Sequence, residues 1–303
     1  MHATREQIEG GLLGLLVGDA LGVPYEFHEP GCLPARRRIE MVPPSGFRRS
    51  YSHVPAGTWS DDGAQALCLF VSLRECRGWD ARDFAGRLLD WYRRGYLAVD
   101  GRVFDVGIQT AAALDRLVEG VAPLEAGLAG ERNNGNGSLM RTLPLALLHG
   151  GDEASLVRIA HEQSRITHAH PRSQVCCALY ALWALAELRR DTTPWELAVQ
   201  TLRLLYKGNS VFGGELGVVL EDANPPTGTG YVVDCLRSAR QACFGAGYEE
   251  ILRSAVAFGH DTDTTACVAG GIAGIRHGVN GIPSRWLLAL RGRKILDPLL
   301  ARL

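Results

Sequence analysis

The sequence predicts an all-α fold in one domain spanning residues 1–303. Apolar residues recur at three- and four-residue steps through most of the chain. Segments with strand-like alternation are scarce. Two segments carry small residues at every fourth position: Gly10, Gly14, Gly18 and Gly22, then Ala266, Gly270, Gly274 and Gly278. Glycine inside a helix costs about 1 kcal/mol relative to alanine. A step of four keeps these residues near one face, where a second helix backbone can approach closely. The stripes therefore predict two central, tightly packed helices.

The elements follow in order. Thr4 and Gln7 have the spacing of a capping box ahead of a helix over 8–21. Helical patterns continue over 64–76, 81–91, 107–118, 138–148 and 153–163. A long run over 171–188 opens on Pro171, a residue suited to a first helical turn. Helices over 194–206, 232–244, 248–258 and 264–277 complete the set. Loops are expected at 27–57, 130–137 and 208–230. The chain shows no repeat of solenoid period and no domain boundary.

Composition limits the function classes. The 303 residues are 46% apolar and 21% charged, the profile of a globular chain. Thirty-two Lys and Arg against 33 Asp and Glu give a net charge of −1, so no global field favours nucleic acid or an acidic membrane. No run of 18 uncharged apolar residues and no secretory leader pattern occurs, so no membrane association is expected and the expected location is the cytoplasm. The eight cysteines show neither CxxC nor zinc-finger spacing, and most fall in apolar helical runs as small hydrophobes. Arg36-Arg37-Arg38 and Arg48-Arg49 read as solvated surface or as anion contacts.

Two acidic clusters stand out. Ser60-Asp61-Asp62-Gly63 precedes one predicted helix, and His260-Asp261-Thr262-Asp263-Thr264 precedes another. Each can cap exposed N–H groups at a helix start. One cap does not need so many acids. Four converging carboxylates would repel one another unless cations neutralised them, and an all-oxygen set suits Mg²⁺ or Mn²⁺ over zinc. Asn133-Asn134-Gly135-Asn136-Gly137 reads either as an ordinary Asn-Gly turn or as a loop that directs N–H groups at a phosphate. His168 and His170 form an H-x-H pair without the further ligands zinc requires.

These elements, in this order, resemble the ADP-ribosylglycohydrolases. The resemblance runs over residues 5–280 through Gly18-Asp19-Ala20-Leu21-Gly22 with Pro24 and Glu26, Ser60-Asp61-Asp62, Phe104-Asp105-Val106-Gly107, Gly135-Asn136-Gly137-Ser138-Leu139-Met140-Arg141, Thr167-His168 and Asp261-Thr262-Asp263-Thr264. It implies a compact orthogonal helical bundle around two divalent cations, Mg²⁺ or Mn²⁺. Ser60, Asp61, Asp62, Asp261, Asp263 and Thr264 would be the metal ligands. Asp105 would serve as acid/base or acceptor contact, with Glu26 as a base or a gate beside the metals. Gly107, Asn133, Asn134, Gly135, Asn136, Gly137 and His168 would meet ADP-ribose, Asn136 most specifically, and Tyr231 would stack on the adenine. His170 is expected as a cap or surface residue. His260 stands where relatives commonly carry glycine and could narrow the cleft.

The implied reaction is hydrolysis of the bond between ADP-ribose and its acceptor, with an ADP-ribosylated protein as substrate. Asp105 suits a guanidinium leaving group, which points to ADP-ribosyl-arginine. Serine-linked and nucleobase-linked ADP-ribose, and a non-catalytic ADP-ribose binder, are the alternatives. Nucleic acid is not favoured.

Overall fold

A computed structural model describes residues 3–221 and 224–303. The described residues form fifteen α-helices and no strand. The first half holds α1 (Arg5–Gly22), α2 (Asp61–Glu75), α3 (Ala81–Arg94), α4 (Ile108–Val118), α5 (Pro123–Ala126), α6 (Leu143–Leu148) and α7 (Glu153–Arg165). The second holds α8 (Pro171–Arg189), α9 (Pro194–Leu205), α10 (Ser210–Glu221), α11 (Val232–Ala242), α12 (Tyr248–Val256), α13 (Thr262–Gly281), α14 (Ser284–Ala289) and α15 (Arg293–Leu300). One contiguous apolar core runs through them.

The glycine stripes make the central contact. Helix α1 lies antiparallel against α13, so close that a Cβ on Gly14 would fall 2.3 Å from the Gly270 carbonyl oxygen. A Cβ on Gly18 would fall 2.1 Å from that of Ala266. At the far end, Gly22 meets the backbone of Asp263, so this packing carries the end of α1 to the acidic start of α13. By length and composition Arg5–Tyr25 could cross a bilayer, with a mean hydropathy of 1.2, but its most apolar stretch is 89% buried in the molecule.

Local signals mostly hold. Thr4 Oγ1 accepts from the Gln7 N–H and Gln7 Oε1 accepts from the Thr4 N–H, closing the capping box. Pro171 opens α8, and the His170 ring accepts from the Arg172 N–H at 3.1 Å, so His170 is the cap. Six of the eight cysteines are buried; Cys32 and Cys76 are exposed.

Four differences have physical reasons. The helix expected over 138–148 begins at Leu143, with Pro144 in its first turn, and turns precede it. Proline disfavours helical geometry in the residue before it and lacks the N–H that would continue an earlier helix. The loop expected over 208–230 contains α10, whose Gly213, Gly214 and Gly217 weaken the local helical signal. Helices α2 and α13 start at Asp61 and Thr262, earlier than expected, so the acids stand at the helix ends themselves. The short helices α5 and α14, of four and six residues, are too brief to show an apolar period, and α15 carries Pro298 inside it.

Candidate active site

The acidic clusters converge where the starts of α2 and α13 meet the segment after α1. Ser60 is the N-cap of α2, with its Oγ accepting from the Asp62 N–H at 3.3 Å, and Asp61 and Asp62 fill the first turn. Asp261 occupies the cap position of α13 and Asp263 its first turn. Thr264 Oγ1 lies 3.4 Å from Asp62 Oδ1, which joins the two helix starts. One oxygen each from Glu26, Asp105 and Asp263 lies within 4.8 Å of the others. A cleft of about 240 Å³ opens over this cluster, lined by Glu26, Asp61, Asp62, Asp105, Asp261 and Thr264, together with Gly107, Gly135–Gly137 and His168.

Burial makes the cluster electrostatically costly. Desolvation, followed by neighbouring carboxylates, pushes Asp61, Asp62 and Asp263 well above the usual carboxylate range. Burial also raises Asp261, against the lowering effect of its hydrogen bond from Asn136. Glu26 is pushed up to about 11 by burial and then by Asp105, Asp261 and Asp62. Glu26 Oε2, Asp62 Oδ2, Asp261 Oδ1 and Asp263 Oδ2 are buried without a hydrogen-bond partner. Such oxygens must hold protons or face cations. The donor set contains no sulfur and matches a hard divalent cation.

Asp105 is held differently. It sits at φ +59° and is half-buried, and the Tyr51 hydroxyl donates to its Oδ1 at 2.6 Å. Burial, then Glu26, raises the Tyr51 phenol, so Tyr51 remains a donor. The Tyr51 ring packs 5.2 Å from Phe104 and 5.9 Å from Phe27. Phe27 is 69% exposed and also has positive φ, +61°. A bulky residue in that region is strained, and here it stands next in sequence to Glu26.

The 133–137 loop divides into parts. Gly135, Asn136 and Gly137 line the cleft, whereas Asn133 and Asn134 do not. The Asn133 carbonyl accepts from Gln109, and Asn134 links Glu131, Ser173 and the Val232 N–H. These two residues scaffold the loop. Asn136 Nδ2 donates to Asp261 Oδ2 at 2.9 Å, so its amide orients an acid of the cluster. Tyr231 stands beside the cleft: its backbone pairs with the lining residue Gly135, and its hydroxyl accepts from Arg172 at 3.1 Å, a bond that leaves the ring face unoccupied. His260 also turns away, toward Glu29 at 3.6 Å. Its φ of +56° accounts for the fit of glycine at that position. Ser60 and Asp263 lie beneath the lining, Ser60 as a cap.

Several residues that shape the site have no role assigned to them by the sequence reading. The fully buried Asp19 accepts from the N–H groups of Ser60 and Gly63 at 2.7–3.0 Å and fixes the start of α2. Burial raises it to about 7. A side chain on Gly63 would approach Asp19 Oδ2 to 2.9 Å, which explains the glycine. The signal for Asp19 was a single acid in an otherwise apolar stripe. Tyr51 offered none, since its partner is 54 residues away. Gln109 and Thr110 line the cleft from α4, one face of an ordinary amphipathic helix.

Comparison with known proteins places this geometry. The sequence model of the ADP-ribosylglycohydrolase family matches residues 1–303. The chain is 32% identical to the ADP-ribosylarginine hydrolase Tri1 of Pseudomonas putida (strain GB-1), covering 93% of this chain and 73% of that protein. It is 30% identical to the ADP-ribosyl-[dinitrogen reductase] glycohydrolase of Rhodospirillum rubrum, covering 95% and 91%. Among solved structures, an ADP-ribosylglycohydrolase-related protein complex matches with a TM-score of 0.78 at 33% identity, covering 98% of this chain and 96% of that one. The buried acids at two helix starts therefore belong to a glycohydrolase, and the chain is a member of the ADP-ribosylglycohydrolase family.

Proposed function

We propose that the protein hydrolyses the N-glycosidic bond between ADP-ribose and an arginine side chain of a modified protein, with two divalent cations, Mg²⁺ or Mn²⁺, held by the acidic cluster. The observation that carries the reading is the set of buried, unpartnered carboxylate oxygens on Glu26, Asp62, Asp261 and Asp263 beside Asp105. Asp61, Asp62, Asp261 and Asp263, with Thr264 and Ser60, would hold the cations. When bound, the cations would neutralise the acids and polarise ribose hydroxyls and a water.

The chain's own residues do the rest. Asp105, oriented by Tyr51, accepts hydrogen bonds from the guanidinium in a charge-assisted pair. Tyr51, Phe27 and Phe104 supply aromatic surface beside it, a setting that suits a planar cation. Gly135–Gly137 and His168 line the part of the cleft where the rest of ADP-ribose would lie. Water adds to the anomeric carbon as the C–N bond breaks. The bonding pair leaves with the guanidine nitrogen, which takes a proton, and the water loses one. Glu26 and Asp105 are the neighbouring carboxyls placed to exchange those protons, since repulsion between them disfavours two charges. Two relatives named ADP-ribosylarginine hydrolase, at 32% and 27% identity, support the arginine acceptor.

A release assay tests the reading. The protein is incubated with Mg²⁺ or Mn²⁺ and, separately, arginine-, serine- and nucleobase-linked ADP-ribose. Free ADP-ribose should form fastest from the arginine substrate, stop on chelation and resume on adding metal. Full activity after exhaustive chelation would refute the metal role, and preference for another linkage would replace the acceptor.

A further inference from the structure

Arg141 is fully buried, yet among the described residues no carboxylate contacts it. Its guanidinium lies 5.4 Å over the Phe84 ring and donates to neutral oxygens only: Gln163 Oε1 at 3.1 Å, the Gln163 carbonyl at 3.0 Å, Gln65 Oε1 at 2.7 Å and Thr167 Oγ1 at 2.8 Å. A guanidinium has donors and no acceptor, so it dictates the polarity of every group it touches. Gln65 must present its oxygen to Arg141, which turns its Nε2 to Asp61 Oδ2 at 3.1 Å.

The second branch ends in the cleft. Thr167 Oγ1 accepts from Arg141, and its other side-chain partner is His168 Nδ1, at 2.8 Å. Thr167 is fully buried, so its proton has one place to go: it is donated to Nδ1. A neutral imidazole that accepts at Nδ1 carries its proton at Nε2. That nitrogen has no hydrogen-bond partner among the described residues and lies 3.3 Å from where a Cβ on Gly135 or Gly137 would stand, in the wall of the cleft. Burial, followed by the charge of Arg141, lowers the His168 pKa to about 3, which keeps the ring neutral.

We propose that Arg141 and Thr167 are positioning residues that lock His168 as its Nε2–H tautomer, so that a fixed neutral donor meets an acceptor oxygen of ADP-ribose in the cleft. The identity of the ligand rests on the proposed function; the tautomer does not. Hydrogen-bond polarity, set by one buried cation, thus reaches the site through a hydroxyl.

Long-range ¹H–¹⁵N correlation of the histidine rings, with His168 assigned by loss of its signals in His168→Gln, reads the tautomer without ligand. The native protein should show His168 as neutral Nε2–H from pH 5 to pH 8. Thr167→Val keeps the volume and removes the donated proton. It should release Nδ1 to take up the proton, mix the two tautomers and weaken ADP-ribose binding roughly tenfold, the loss of about one hydrogen bond. Thr167→Ser should restore both readouts. A native His168 that is Nδ1–H or cationic, or a folded Thr167→Val that keeps the Nε2–H form, overturns the proposal. A native Nε2–H signal without ADP-ribose binding would instead refute the ligand and the function above.

Discussion

At the scale of single residues, the proposed function separates groups that would meet substrate from groups that aim them. Asp105 belongs to the first kind. Asp105→Asn keeps the shape but loses a charge-assisted bond of about 1.5–3 kcal/mol, so kcat/KM on ADP-ribosyl-arginine should fall roughly ten- to hundredfold. Affinity for free ADP-ribose should change little, and calorimetry on the same variant checks that. Parallel loss of turnover, affinity and melting temperature would make Asp105 structural. Asn136 belongs to the second kind, because its amide holds Asp261. Asn136→Ala should weaken divalent-cation binding measured by titration calorimetry. Unchanged metal affinity would argue against that aiming role.

At the scale of elements, function depends on two backbones touching. Helices α1 and α13 meet through glycines on both sides, and this contact brings Asp19 and Asp263 to one end of the bundle. Gly18→Ala would set a methyl 2.1 Å from the Ala266 carbonyl oxygen, which α13 can relieve only by moving. Overpacking of this kind costs about 1–3 kcal/mol. Denaturant unfolding should register that loss, and metal affinity should fall with it as the α13 acids shift. A similar substitution at Gly86, an exposed interior position of α3 where a Cβ meets nothing within 4 Å, should instead raise stability by up to about 1 kcal/mol and leave metal affinity unchanged. Such a stripe is legible in sequence because its period is local. Its partner is not written there, and only the antiparallel pairing shows which glycine faces which carbonyl.

At the scale of the whole molecule, the acidic cluster couples stability to pH and metal. Asp19, Glu26, Asp61, Asp62, Asp261 and Asp263 all have folded pKa values raised by burial. The metal-free native state therefore binds more protons than the unfolded chain above the ordinary carboxylate pKa of about 4. Its stability falls as pH rises from there through the folded values, about 7 for Asp19. Cations bound only by the assembled site, as proposed above, would replace those protons. Melting temperature without metal should drop between pH 5 and pH 8, and the gain from Mg²⁺ or Mn²⁺ should grow over the same interval. Scanning calorimetry at several pH values measures both. A metal-induced gain independent of pH would contradict the protonated cluster.

By itself the sequence determined the helical class, the Thr4 cap, the Pro171 start, the glycine stripes and the identity of the acids. Each is a signal within a few residues, where helix periodicity and capping chemistry act. It also ordered the motifs by which the family is recognised. The tertiary structure decided which of those residues meet. It set Asn133 and Asn134 behind the cleft, paired Tyr231 with Gly135, turned Asn136 onto Asp261, and brought Tyr51 to Asp105 across 54 positions. It also joined Arg141 to His168 through Thr167. Hydrogen-bond polarity and the pKa of a buried acid depend on neighbours and on exclusion of water. Both arise only when distant segments pack, so no local pattern in the chain records them.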